Sequence, residues 1–131
     1  PKRDWSSDVC SSDLPLNTAL VNARRDSFPS DHDTEWGGRL FECAVGAELC
    51  RRYEEVMYWR EGGAEVDFVV KTNSALFAIE VKSGRKKSAR GLTAFCARQP
   101  KAVPIIVTPE NFAAFSRDPR SFLVQAGGLS T

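Results

Sequence analysis

The chain has 131 residues, of which 42% are apolar and 27% charged, and its formal net charge is +1. This is enough for one globular domain, and no apolar run approaches the roughly 18–20 residues that a membrane-spanning helix needs. Of the four cysteines, Cys10 lies in the segment 4–14, and Cys43, Cys50 and Cys96 lack the paired spacing of a disulfide framework or a zinc site. We therefore expect a cytoplasmic protein that does not contact a membrane.

Residues 4–14 read DWSSDVCSSDL and match one translated reading frame of a common sequencing adapter, letter for letter. We interpret residues 1–14 as a sequencing-adapter artefact and not as native protein. A natural disordered tail is the alternative. Residues 15–35 then read as a linker or short helix from a truncated upstream region, and residues 126–131 as a tail. On this interpretation the chain is the C-terminal part of a longer protein.

Turn residues and apolar periodicity divide residues 36–125 into alternating helices and strands. The predicted elements, in the order α-β-β-β-α-β-α, are a helix opened by Gly37-Gly38 (38–53), strands 55–60, 64–72 and 74–82, a helix (88–98), a strand (102–107), and a helix capped by Thr108. This order predicts an α/β fold with one mixed sheet flanked by helices.

The dipeptide Asn73-Ser74 predicts how the second and third strands face each other. If it forms a two-residue hairpin loop, opposed residues have numbers that sum to 147. One face then carries the apolar pairs Val66–Val81, Phe68–Ile79 and Val70–Phe77. The other face, which we expect to point out of the core, carries Asp67 opposite Glu80 and Glu65 opposite Lys82.

This polar face needs a cation. Carboxylates directly opposite each other repel, with Cβ atoms only ~5 Å apart, so Asp67 and Glu80 require compensation. Lys82 supplies part of it, and Mg²⁺ would supply more, because it binds carboxylate oxygens and keeps waters that a phosphate can displace. Glu42 adds a carboxylate on the less polar side of its helix, where a charge needs a partner. Purely structural ion pairs remain the alternative.

The order Glu42, Asp67, Glu80-Val81-Lys82 resembles the PD-(D/E)XK phosphodiesterase superfamily of restriction-endonuclease-like folds. The resemblance implies hydrolysis of nucleic-acid phosphodiesters with Mg²⁺ or Mn²⁺. It implies that Asp67, Glu80 and the Val81 carbonyl are metal ligands, and that Glu42 binds the metal directly or through water. Lys82 would then orient or activate the attacking water.

Longer stretches resemble the uncharacterised C-terminal domain attached to many prokaryotic AAA-type ATPases. They are WGGRLFECAVGAEL, YWREGGAEVDFVV, AIEVKSGRKKSARGLTAF and IIVTPENFAAFSRDP, and the likeness covers nearly all of residues 15–125. The resemblance implies an ATPase domain upstream as a partner. The chain itself has no GxxxxGK[ST] motif, so we expect no ATP hydrolysis from it.

A basic stretch follows the predicted site. Its first members after Lys82 are Arg85, Lys86, Lys87 and Arg90. Basic side chains in such a position favour salt-sensitive binding of a phosphate backbone, and a solvated loop is the alternative. Two functions remain open: a metal-dependent nuclease-like domain of an AAA-type ATPase, and a non-catalytic module that binds nucleic acid or protein for that ATPase.

Overall fold

The computed structural model describes residues 34–83 and 89–129, with side chains described from residue 37 onward. Residues 1–14 and most of the predicted linker at 15–35 lie outside these ranges. The basic residues Arg85, Lys86 and Lys87 also lie outside them. Within the described ranges the order is α-β-β-β-α-β-α-α, which confirms the predicted α/β arrangement and adds one helix.

The helices and strands form a single layered unit around one sheet. They are α1 (Thr34–Arg52), β1 (Met57–Glu61), β2 (Ala64–Lys71), β3 (Leu76–Val81), α2 (Arg90–Arg98), β4 (Ala102–Val107), α3 (Phe112–Arg117) and α4 (Pro119–Ala126). The sheet is mixed, with strand order β1-β2-β3-β4 and only β3–β4 parallel. A parallel pair needs a crossover connection, which contains α2. Among these helices none is both long and apolar enough to cross a lipid bilayer.

Two tight turns set the register of the three antiparallel strands. Gly62 and Gly63 join β1 to β2 with φ angles of 59° and 80°, a conformation that glycine adopts without steric cost. Between β2 and β3, the Thr72 amide donates to the Ala75 carbonyl at 2.8 Å, so Asn73-Ser74 is the two-residue loop. The predicted sum of 147 is confirmed by four consecutive pairs, from Phe68–Ile79 to Lys71–Leu76.

Helices cover both faces of the sheet. On one face α1, α3 and α4 bury a cluster whose largest members are Leu49, Phe68, Phe77, Ile79, Phe115 and Leu123. On the other face α2 buries Trp59 against Phe95, with ring centroids 5.4 Å apart. Val69 and Ala78 lie under α2 with no exposed surface. The face of β2 and β3 predicted to carry Asp67 and Glu80 was expected to point out of the core. That expectation is therefore wrong for the middle of the sheet, which α2 covers.

The first helix begins earlier than predicted. α1 starts at Thr34, so Gly37 and Gly38 lie inside the helix and do not open it. A methyl carbon placed on Gly38 would lie 3.0 Å from Ser83 Oγ, whereas one on Gly37 would meet nothing within 4 Å. The glycine at position 38 therefore reflects close packing of the helix on the chain that follows β3.

The side chain of Asn111 closes the outer edge of β4. Its Oδ1 accepts the Thr108 amide proton at 2.8 Å, and its Nδ2 donates to the Ile106 carbonyl at 3.1 Å. A residue of a neighbouring parallel strand would bond to the same two groups. Pro104, also on β4, has no N–H to offer a further strand. The predicted N-cap at Thr108 is wrong, because this turn delays the start of α3 to Phe112.

We expect Asn111→Ala to lower the free energy of unfolding by about 1–2 kcal/mol, because two backbone groups lose their partner. Urea denaturation of the variant and the parent chain measures the difference. Asn111→Asp is the matched control, since it keeps an acceptor for the Thr108 amide but loses the donor, and it should fall between the two. Equal urea midpoints for all three chains would show that the stability of the β4 edge does not depend on Asn111.

Candidate functional site

The strand β2 is irregular where Asp67 lies. Its register against β1 shifts between Met57 and Trp59, which leaves one extra residue in β2 at 67–68. Such a β-bulge bends its strand and redirects a side chain, and bulges are common beside active sites. The bulge thus separates Asp67 from the regular alternation of the strand.

The bulge also changes which residues share a face. Val66 packs in the cluster under α2, whereas Phe68 packs with Val81 in the cluster under α1. The predicted facing pair Val66–Val81 is therefore wrong, while the predicted pairing of Phe68 with Ile79 is confirmed. A strict period of two assigned Val66 to the same face as Phe68, and the extra residue reverses that assignment.

The carboxylate of Asp67 lies between β2 and β3. Its Oδ2 accepts the backbone amide proton of Val81 at 2.8 Å. The backbone hydrogen bonds between these strands end at the pair Phe68–Ile79. Beyond that pair, the Asp67 carboxylate takes the place of a β2 backbone carbonyl as the acceptor for the Val81 amide. Hydrogen bonds to a charged acceptor are stronger than neutral ones, and this one holds Asp67 beside the Glu80–Val81 peptide.

Glu80 lies near the end of β3, Lys82 and Ser83 follow the strand, and all three are half-buried. Glu80 has one carboxylate oxygen, Oε2, that is shielded from solvent. The Lys82 amide donates to the Val107 carbonyl at 2.9 Å, which extends the pairing with β4 by one residue. Because alternate strand residues share a face, Glu80 and Lys82 lie on the α2 side of the sheet with Ala78.

Glu65 has a different partner from the one predicted. Its carboxylate lies 3.1 Å from the guanidinium of Arg60, the residue directly opposite it on β1. The predicted ion pair with Lys82 is therefore wrong. Both members of the observed pair are more than half exposed, so it adds at most about 1 kcal/mol.

Two helices approach this end of the hairpin from opposite faces of the sheet. From one face α1 contacts Ser83 through Gly38, and Glu42 follows Gly38 by one helical turn. From the other face α2 lies against the backbone of Glu65 at Gly91, where an added methyl carbon would be 1.7 Å from the Glu65 carbonyl oxygen. Arg90, the exposed first residue of α2, is thereby held near the start of β2.

The hydrogen bond to Val81 places Asp67 beside the peptide that follows Glu80, whereas Glu42 comes from a separate element. In residues 34–83 and 89–129, no three histidine, cysteine, aspartate or glutamate side chains form a group that could hold a metal ion. Mg²⁺ nevertheless needs only one or two carboxylates, because it keeps several waters. Carboxylates such as those of Asp67 and Glu80, together with backbone oxygen, are the donor types that such an ion binds.

Three residues at this site carried no clear functional signal in the sequence. Gly38 and Gly91 have no side chain, and Ser83 simply follows Lys82. Glycine inside a helix costs about 1 kcal/mol relative to alanine, which is a hint that each helix packs closely there. The hint does not reveal the partner, because Ser83 and Glu65 are distant in the sequence from the glycines that they contact.

The pKa of the Cys43 thiol depends on the charge of the neighbouring Glu42. Burial raises the pKa of Cys43 above its usual 9.0, and the adjacent Glu42 carboxylate raises it further. We expect Glu42→Gln to lower this pKa part of the way back, because the charge is lost and the burial remains. The pH dependence of iodoacetamide alkylation, followed at Cys43 by peptide mass spectrometry, measures the change.

Cys96 is the internal control for that experiment. Burial alone raises its pKa, so its alkylation profile should be the same in the parent chain and in Glu42→Gln. A Cys43 profile that did not move in the variant would contradict the expected influence of the Glu42 charge.

Comparison with known sequences gives one match. A family described as a domain of unknown function (DUF4143) matches residues 37–124. The matched segment contains Glu42 on α1 and the whole of β1 to β4, and with those strands Asp67, Glu80 and Lys82. No curated protein and no solved structure matches the chain significantly. Because the match covers more than half of its 131 residues, the chain belongs to the DUF4143 family.

Proposed function

We propose that the chain is a metal-dependent phosphodiesterase of the PD-(D/E)XK type that acts on nucleic acid as the C-terminal domain of an AAA-type ATPase. The observation that supports this most is the 2.8 Å hydrogen bond from the Val81 amide to Asp67 Oδ2. It joins a carboxylate to the peptide that follows Glu80, at the end of a hairpin whose other central residues are apolar. Like charges on facing strand positions repel, so a cation would stabilise carboxylates at Asp67 and Glu80.

Asp67 and Glu80 would hold Mg²⁺ or Mn²⁺. The carbonyl of Val81 would be a third oxygen ligand, because it leaves β3 on the same side as the amide that bonds Asp67. Glu42 would act through a water molecule, since it lies on a different element from the pair. When bound, the ion supplies charge stabilisation at a phosphate oxygen.

Lys82 would assist the attacking water. It follows Glu80 by two residues, so its ammonium group shares the face of that carboxylate. A fixed positive charge there can orient the water or stabilise the charge that develops on the phosphate. Hydrolysis adds water across one P–O ester bond and yields a phosphomonoester and a hydroxyl, so no other co-reactant is needed.

The substrate would be held by basic residues beside the site. Arg90 is exposed at the start of α2, whose contact at Gly91 holds it near β2. Arg85, Lys86 and Lys87 precede it in the chain. Such residues bind a phosphate backbone without sequence preference, and the binding weakens as salt increases.

Assays of plasmid nicking and of single-stranded DNA and RNA degradation, with Mg²⁺, with Mn²⁺ and with chelator, test the proposal. We expect Asp67→Ala and Lys82→Ala to abolish cleavage. Glu65→Gln is the matched control, because it alters an exposed carboxylate two residues from Asp67, and it should keep full activity. Equal activity in all four chains, or none in the folded parent chain with any substrate, would overturn the proposal.

A different result would favour the non-catalytic alternative. Nucleic-acid binding that persists in chelator and survives Asp67→Ala, with no cleavage by the parent chain, is expected of a binding module. Fluorescence anisotropy with labelled oligonucleotides at several salt concentrations measures that binding separately from cleavage.

A further inference from the structure

We draw no further inference here: the strongest candidate, the exposed apolar surface patch that Pro104 and Ile106 form on the α2 side of β4 next to Glu80, carries none because nothing in the structure shows what covers it.

Discussion

Gly91→Ala is expected to lower the free energy of unfolding by about 3 kcal/mol or more. The added methyl carbon would lie 1.7 Å from the carbonyl oxygen of Glu65 and 2.8 Å from its carbonyl carbon. Both are backbone atoms of β2, so they cannot rotate aside as the end of a side chain can. The start of α2 must lift from the sheet, and this loosens the packing of Leu92 and Phe95, which are buried beneath it.

Thermal and urea denaturation measure this loss. We expect the melting temperature to fall by roughly 10 °C or more, since each kcal/mol corresponds to several degrees in a domain of this size. Gly37→Ala is the control, because it adds the same methyl group to a helical glycine that has open space. It should be neutral or stabilising by up to about 1 kcal/mol. Equal melting of both variants would contradict the close contact between α2 and β2.

Asp67→Asn and Asp67→Ala are expected to separate the effect of the Asp67 hydrogen bond from the effect of its charge. The asparagine keeps an oxygen that can accept the Val81 amide proton but has no charge, whereas the alanine loses both. We expect Asp67→Ala to lower the free energy of unfolding by about 1–3 kcal/mol, because the Val81 amide loses its acceptor inside the hairpin. Asp67→Asn should be close to the parent chain in chelator, since the hydrogen bond survives and repulsion by Glu80 is relieved.

Divalent metal should then distinguish the parent chain from both variants. Mg²⁺ is expected to raise the melting temperature of the parent chain by mass action and to leave that of Asp67→Asn unchanged. Under the proposed function, cleavage by Asp67→Asn should fall by roughly a hundredfold or more, because the variant would hold the ion less well and the ion supplies several kcal/mol of charge stabilisation. If Mg²⁺ stabilised Asp67→Asn as much as the parent chain, Asp67 would have a structural role only.

The hairpin that carries the site could be predicted from local sequence alone. Asn73-Ser74 and Gly62-Gly63 are two-residue turns, and such a turn determines the register of the strands that it joins. The predicted opposition of Asp67 and Glu80 extends that register one pair beyond the observed ladder, which ends at Phe68–Ile79. The mixed sheet and the order of its elements followed from the alternation of helical and strand periodicities.

The polar contacts at the same site could not be predicted in this way. The extra residue in β2 moved Val66 to the face under α2, and Arg60, not Lys82, became the partner of Glu65. Both results depend on the pairing of β1 with β2, which includes a bulge that has no distinctive local sequence. The start of α3 differed for a similar reason, because the Asn111 side chain bonds to the edge of β4.

The sequence by itself determined the fold class, the register of β2 against β3, and the presence of Asp67, Glu80 and Lys82 near one end of that hairpin. Only the tertiary structure decided that Asp67 bonds to the Val81 amide and that α1 and α2 reach the site through Gly38 and Gly91. A short turn limits which strand residues can meet, so register is a local property. The approach of a helix to a strand depends on how both layers of the core fill space, and no short segment contains that information.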